Sequence, residues 1–335
     1  MSERPEIIAG FLRHSGWREA TRVPLAADAS FRRYERLTEG DRRVLMMDAP
    51  PPHEDVRPFV AVARHLCDLG YSAPRVLAED IEAGLLLLED FGDDTFTRLL
   101  ASGADEIELY RLATDLLIDL HRRPPEAAVP PGLPAYDDEK LIDEAALLIE
   151  WYVAAVDGRP LPDATAQEYR DLWRFALRTA RQVPESLVLR DYHVDNLMRL
   201  PGRDGLKACG LLDFQDAVRG PVTYDFVSLI EDARRDIADD IVAEMRERYL
   251  EAFPALDRGA FDGSVAVLGA QRHAKVIGIF TRLCWRDGKP VYLDHIPRVW
   301  RLLERACAHP ALSAIRHWLD VHIPPETRII PLMPS

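Results

Sequence analysis

The chain lacks any apolar run long enough to span a bilayer; stretches such as Gly84 to Leu88 fall far short of the roughly 20 residues a spanning helix needs. It has few cysteines. Cys67, Cys209, Cys284 and Cys307 show no Cys-x₂-Cys spacing, so neither a zinc site nor a disulfide framework is implied. The start Met-Ser-Glu-Arg-Pro-Glu carries no signal-peptide pattern, and a reducing cytoplasm is the expected setting. Positive charge is in deficit. The net charge of −14 argues against a nucleic-acid partner, because phosphate backbones select basic faces, and no membrane partner is expected. An anionic small substrate stays open, since a metal and a few local arginines outweigh a distant field. No internal repeat and no low-complexity tract is present. What remains is ordinary for a globular protein: 335 residues, 47% apolar and 29% charged, enough for two domains or one two-lobed unit.

Periodicity divides the chain into a mixed first part and a helical second part. Glu6 to Ser15 reads as a short amphipathic helix. Phe31 to Leu37 and Arg43 to Asp48 read as strands around the turn Thr38-Glu39-Gly40-Asp41. After the break at Pro50-Pro51-Pro52, the stripe Val56, Phe59, Val60, Ala63, Leu66 and Leu69 predicts a helix ended by Gly70. Val76 to Ala78 and Leu85 to Leu88 read as further strands. Helices are expected over 106–122, 138–153, 225–234, 237–253, 264–282 and 297–307, with a proline-rich loop over 124–134. Leu187 to Leu189 and Leu206 to Leu212 read as short strands. The joint between a β-rich lobe and a helical lobe is expected near Leu88-Glu89-Asp90-Phe91-Gly92, with domains 1–90 and 91–335.

The chemistry concentrates in two segments. Asp191 and Asn196 stand five residues apart in Leu-Val-Leu-Arg-Asp-Tyr-His-Val-Asp-Asn, and Gly210-Leu211-Leu212 leads into Asp213-Phe214. Phosphoryl transfer needs a carboxylate to receive a hydroxyl proton and oxygen ligands for Mg²⁺. Each of these residues alone reads as a turn or capping residue. Their order and spacing together supply a base and two metal ligands.

These motifs resemble the aminoglycoside phosphotransferase family, relatives of the protein kinases. That family's catalytic loop reads His-Gly-Asp-x₄-Asn and its metal strand reads [Ile/Leu]-[Ile/Leu]-Asp-[Phe/Trp]; here Leu189 stands where His is usual. Longer segments, including Asp28 to Tyr34, Met47 to Pro51, Leu88 to Asp94, Tyr224 to Asp236 and Arg282 to Pro290, are similar to the anomeric amino-sugar kinases of bacterial cell-wall recycling. The resemblance implies an α+β, bilobal, protein-kinase-like fold with a small β-rich N-lobe and a larger, mainly helical C-lobe. It implies ATP and Mg²⁺ as cofactors, and transfer to the anomeric hydroxyl of N-acetylmuramate or N-acetylglucosamine. Asp191 would be the base, and Asn196 and Asp213 the metal ligands. Nucleotide would be held by Ser30, Phe31, Arg32, Arg33 and the hinge residues Leu88 and Glu89. Sugar would be held by His193, Arg234, Trp285 and Arg286. Asp225 would buttress the catalytic loop, and His121 reads as structural.

The nucleotide side departs from the family. Ala26 to Phe31 contains no glycine, and Val44-Leu45-Met46-Met47-Asp48 lacks the usual ATP-binding Lys. Arg32 or Arg33 is the expected replacement, and the pairing role of Glu54 is then in doubt. Two other readings stand beside this one: a kinase of the same fold acting on an aminoglycoside, choline or another sugar, and a non-catalytic nucleotide-binding module.

Overall fold

The computed structural model describes residues 4–25 and 31–332, and its contacts divide the chain into two compact units. The first comprises Met1–Leu112 with Val194–Ala217, the second Ala113–His193 with Val218–Ser335. The division is therefore not a single cut near residue 90. Strands Leu197–Arg199 and Cys209–Leu211 pair with each other and return to the first unit. There Leu211 N–H donates to the Ser72 carbonyl (2.8 Å) and Arg199 N–H to that of Asp94 (2.8 Å). The strand expected over Leu206–Leu212 is shorter, because Gly205 turns with φ +56° and a 3₁₀ turn fills Gly205–Ala208.

The first unit is built on a five-stranded antiparallel sheet of order β1-β2-β3-β5-β4. Its strands are β1 (Thr21–Pro24), β2 (Arg33–Glu39), β3 (Arg42–Asp48), β4 (Val76–Asp80) and β5 (Leu85–Glu89). Leu85, Leu86, Leu87 and Leu88 are all buried, as expected for an inner strand covered on both faces. On one face, helix Arg4–His14 supplies Ile8, Phe11 and Leu12 against Leu37, Val44, Met46 and Leu87. Helix Arg57–Asp68 buries Phe59, Val60, Ala63 and Leu66, the stripe read from its 3.6-residue period. Strand β1 escaped the sequence reading because all four of its residues are exposed; pairing with β2, and no apolar face, makes it a strand.

The second unit is helical around Arg258–Trp285, a helix buried along most of its length. Its core gathers Leu141, Ile142, Tyr169, Trp173, Val267, Ala270 and Trp300. Helices Asp163–Ala180 and Ser313–His322 were not anticipated, although Tyr169, Trp173, Ala176, Leu177 and Ala180 lie at helical spacing on the first. The helix expected over 138–153 forms, but past Leu147 it widens into a π-type stretch, Leu148–Val153. Among the described residues no helix is long and apolar enough to cross a membrane.

Candidate active site

In the first unit a cavity of about 300 Å³ opens beside the sheet. Leu45, Phe59, Leu88, Phe91, Met198 and Leu212 give it apolar walls, while Tyr34, Thr95, Asn196 and Asp213 give it a polar end. Flat apolar walls with a few polar groups suit a heteroaromatic ring joined to a charged tail. Leu88 and Glu89 both line the cavity, but their groups are largely committed. Leu88 pairs with Leu45 and Val76 in the sheet. Glu89 N–H donates to the Arg75 carbonyl (2.9 Å), and its carboxylate accepts from Arg75 (3.2 Å) and Arg203 (2.5 Å). The hinge expected at Leu88 and Glu89 thus offers the wall, while sheet pairing has taken the Glu89 donor.

At the polar end the chain folds Asp213 into the left-handed region (φ +58°), an unusual conformation for a residue with a Cβ and one that collects at functional sites. Asp213 Oδ1 accepts from Arg32 Nη2 (3.2 Å) and Gln215 Nε2 (3.0 Å). Asn196 Nδ2 lies 3.5 Å from Asp213 Oδ2, so these two residues are neighbours. An amide turned about its last torsion presents its oxygen instead, leaving one carboxylate and one carbonyl to face a cation. That donor set fits Mg²⁺, which takes one or two protein oxygens and completes its shell with phosphates and water. Among the described residues no larger His/Cys/Asp/Glu cluster could hold a metal.

Arg32 and Arg33 separate cleanly. Arg33 is exposed, whereas the Arg32 side chain retains 14% exposure and lies between Asp213 and Glu54, the latter 3.9 Å from Nε. Consecutive residues of an extended chain point to opposite faces, so only one of them can turn inward. Burial disfavours the Arg32 charge, but Tyr34, Asp213 and Glu54 outweigh it and hold the guanidinium protonated. Burial also pushes the Tyr34 hydroxyl up to about 12. Glu54 accepts the Phe31 N–H (3.2 Å). Ser30 lies outside the described residues.

In the second unit Asp191 follows Arg190, which is likewise left-handed (φ 72°). Among the described residues, Arg190 and Asp213 are the two non-glycine positions with positive φ. Asp225, fully buried, anchors this loop: its carboxylate accepts the N–H groups of Leu189 (2.6 Å) and Arg190 (2.8 Å), the buttress anticipated from sequence. Burial, only partly offset by those two N–H groups, raises the Asp225 carboxyl to about 7. Asp191 goes the other way. Burial would raise its pKa, yet Lys275, His193, Arg272 and Arg190 together hold it below the ordinary carboxylate value. Arg272 Nη2 is 4.0 Å from Asp191 Oδ1. Lys275 pairs with Glu144 (3.1 Å), which also binds the Arg190 guanidinium and the Tyr136 hydroxyl.

His193 is buried beside this group. Burial lowers its pKa and Arg234 and Arg272 lower it further, against Asp232 and Asp191. Arg234 lies over the Phe280 ring at 5.8 Å, and its N–H donates to Asp232 (2.7 Å). His193 and Arg234 therefore share one neighbourhood. Trp285 and Arg286 lie further along the long helix and its cap, ten and eleven residues beyond Lys275 and five and six beyond the Phe280 that Arg234 covers. Trp285 Nε1–H donates to the Leu332 carbonyl (3.2 Å), and Arg286 pairs with Asp287 (2.7 Å). His121 is half-buried, its Nδ1 2.8 Å from the Tyr249 hydroxyl, in keeping with the structural part read from sequence.

The sequence reading missed Arg272, Lys275, Glu144 and Asp232. A signal existed: Gln271-Arg272-His273-Ala274-Lys275 puts four polar residues inside an otherwise apolar helix, and all four are buried. Charges in such a place are rarely buried without a partner or a task.

Residues 21–261 match the model of a family described as "Phosphotransferase enzyme family". The N-acetylmuramate/N-acetylglucosamine kinase of Caulobacter vibrioides is 39% identical, covering 98% of this chain and 99% of the relative. The enzyme of the same name from Pseudomonas aeruginosa is 41% identical over 90% of this chain and 89% of its own. Among solved structures, the GDP complex of aminoglycoside 2'-phosphotransferase-IIIa shares the fold: TM-score 0.61, 14% identity, 92% of this chain and 99% of that one. The expected protein-kinase-like architecture, a small antiparallel-sheet lobe followed by mostly helical structure, is the one present.

Proposed function

The chain belongs to the phosphotransferase enzyme family, and we propose that it transfers the γ-phosphoryl group of ATP to the anomeric hydroxyl of N-acetylmuramate, with N-acetylglucosamine as a second acceptor. The observation that carries this reading is Asp191: a carboxylate at the family's base position, held ionised by surrounding cations. The names of the relatives, at about 40% identity over most of the chain, supply the acceptor. On this reading the reaction serves peptidoglycan recycling, in the cytoplasm where ATP is made.

Asp191 receives the proton of the attacking hydroxyl. An anomeric hydroxyl is more acidic than an ordinary alcohol, so a carboxylate with a lowered pKa is a sufficient base. The adenine ring takes the apolar cavity of the first unit. Arg32 stands in for the absent lysine: it is inward, charged, and its Nε has no hydrogen-bond partner among the described residues. Asn196 and Asp213 hold the Mg²⁺, which when bound neutralises phosphate charge. His193 and Arg234 line the acceptor side, where an arginine fork suits the lactyl carboxylate of N-acetylmuramate.

An ADP-release assay over N-acetylmuramate, N-acetylglucosamine, choline and an aminoglycoside tests the reading. The two amino sugars are the expected acceptors, with loss of their reducing ends as the phosphate forms. Turnover of choline or the aminoglycoside, and of neither sugar, would overturn it. Asp191→Asn should lower kcat by roughly 10²-fold or more, the loss expected for a general base.

A further inference from the structure

Arg272 is a cation of the second unit that is buried without a close ion pair among the described residues. The residue is 5% exposed. Its neighbours on the same network are well paired: Lys275 is 3.1 Å from Glu144, and Arg190 binds the same carboxylate. Arg272 has instead a loose approach of 4.0 Å to Asp191, too long for a hydrogen bond, and its Nε has no hydrogen-bond partner among the described residues. A buried guanidinium with donors unspent beside a carboxylate is a site for a second oxyanion.

We propose that Arg272 is a catalytic residue whose guanidinium holds oxygens of the phosphoryl group being transferred. The inference rests on the reading of Asp191 as the base. A base must lie within about 2.6–3.2 Å of the hydroxyl it deprotonates. The attacking oxygen then sits between Asp191 and the groups that face that carboxylate; Arg272, 4.0 Å away, is one of them, beside Lys275 and His193. In the step, the anomeric oxygen forms a bond to the γ-phosphorus while its proton passes to Asp191. The bond from that phosphorus to the bridging oxygen breaks, and its electron pair leaves with ADP. Charge spreads over the equatorial phosphoryl oxygens, where a rigid fork of N–H donors counts most. The long helix supplies that rigidity: Arg272 is one turn from Lys275, and adjacent Gln271 donates to the Leu141 carbonyl (2.9 Å). The lactyl carboxylate of N-acetylmuramate is the other oxyanion a substrate would bring. It hangs from a ring carbon two positions from the anomeric centre, so the group nearest the base is the phosphoryl group.

Steady-state kinetics of the full chain with both sugars, for wild type, Arg272→Gln and Arg272→Lys, test this. Arg272→Gln should lower kcat by roughly 10²–10³-fold on both sugars alike, the range for loss of an oxyanion donor, with sugar KM within a few-fold. Arg272→Lys should recover part of the loss. The acid limb of kcat/KM should move to higher pH, because Asp191 loses one of the cations that lower its pKa while Lys275, His193 and Arg190 remain. By calorimetry, Arg272→Gln should bind sugar 1-phosphate more weakly and free sugar unchanged. A loss confined to N-acetylmuramate would assign Arg272 to the carboxylate and overturn the proposal; so would wild-type kcat, or a KM effect alone. If Arg272→Gln does not fold, Arg272→Lys decides by the same comparison of sugars. Wild-type turnover of neither sugar refutes the proposed function itself; turnover by wild type matched by Arg272→Gln refutes only the role of Arg272.

Discussion

Glu144 is the counter-ion on which two buried cations depend. Its side chain is 14% exposed, and it binds Lys275 (11% exposed) and Arg190 (12% exposed). Burial would raise its pKa, but Lys275 and Arg190 pull it below the ordinary glutamate value. A carboxylate with a lowered folded pKa stabilises the fold above its unfolded pKa, and loses that contribution as pH falls through the folded value. Glu144→Gln takes away the carboxylate that both cations share and leaves Asp191 as the nearby negative charge acting on them. Breaking a buried pair in this way costs about 3–5 kcal/mol, against a total stability of about 5–15 kcal/mol for a typical domain. Urea unfolding followed by tryptophan fluorescence reads the change where it occurs, since of the six tryptophans only Trp17 belongs to the first unit. The double variant Glu144→Gln/Lys275→Met should recover part of the loss, because one orphaned charge is gone. A Glu144→Gln protein within about 1 kcal/mol of wild type would refute the assignment of these cations to a dry network. A double variant worse than the sum of the singles would do the same.

Four further outcomes follow from other parts of the structure. The acid limb of kcat/KM should fall below the ordinary carboxylate range, so that activity persists as pH is lowered to about 5; a limb near neutrality would show that another group, and not Asp191, sets the rate. His121, held down to about 3 by burial, stays neutral in the fold while the unfolded chain takes up a proton below about 6.5, so stability falls with acidification. That contribution is about 2 kcal/mol between pH 7 and 5, and His121→Gln should flatten the slope measured by urea titrations at the two pH values. Gly278→Ala should destabilise by about 1–3 kcal/mol despite a better helix former, because its Cβ would meet the Leu147 carbonyl carbon and oxygen at 2.3 Å; thermal melts should show a lowered Tm. Gly269→Ala, whose Cβ would meet Glu231 Oε2 at 2.9 Å, should cost less than Gly278→Ala in the same assay, because a side-chain oxygen gives way more readily than backbone, although this one also bonds His273 (2.6 Å).

The elements most legible in the sequence were those with a strong local period. The stripe from Val56 to Leu69 and the leucines of β5 announce a helix and a buried strand, because burial writes itself directly into the spacing of apolar residues. Strand β1 had no such signal, since hydrogen bonds to β2 alone hold its exposed residues. The hinge was half legible: Leu88 lines the cavity, but the loss of the Glu89 N–H to Arg75 depends on the registry of β4 against β5. Trp285 and Arg286 looked like sugar ligands by type and by resemblance. Helical rise sets them about ten residues beyond Lys275 yet only five or six beyond the Phe280 that Arg234 covers, and nothing in composition records those distances.

Spacing along the chain was enough to choose Asp191, Asn196 and Asp213, and the missing lysine in β3 was visible as a gap to be filled. Side-chain alternation could have picked Arg32 over Arg33 only once the strand's inward face was known. The polar run Gln271 to Lys275 was legible, but its pairing was beyond reach, because Lys275 meets Glu144 more than a hundred residues away in sequence. Local sequence dictates which groups can do chemistry. The dielectric, the neighbouring charges and the distances that set their pKa values exist only after distant segments have packed.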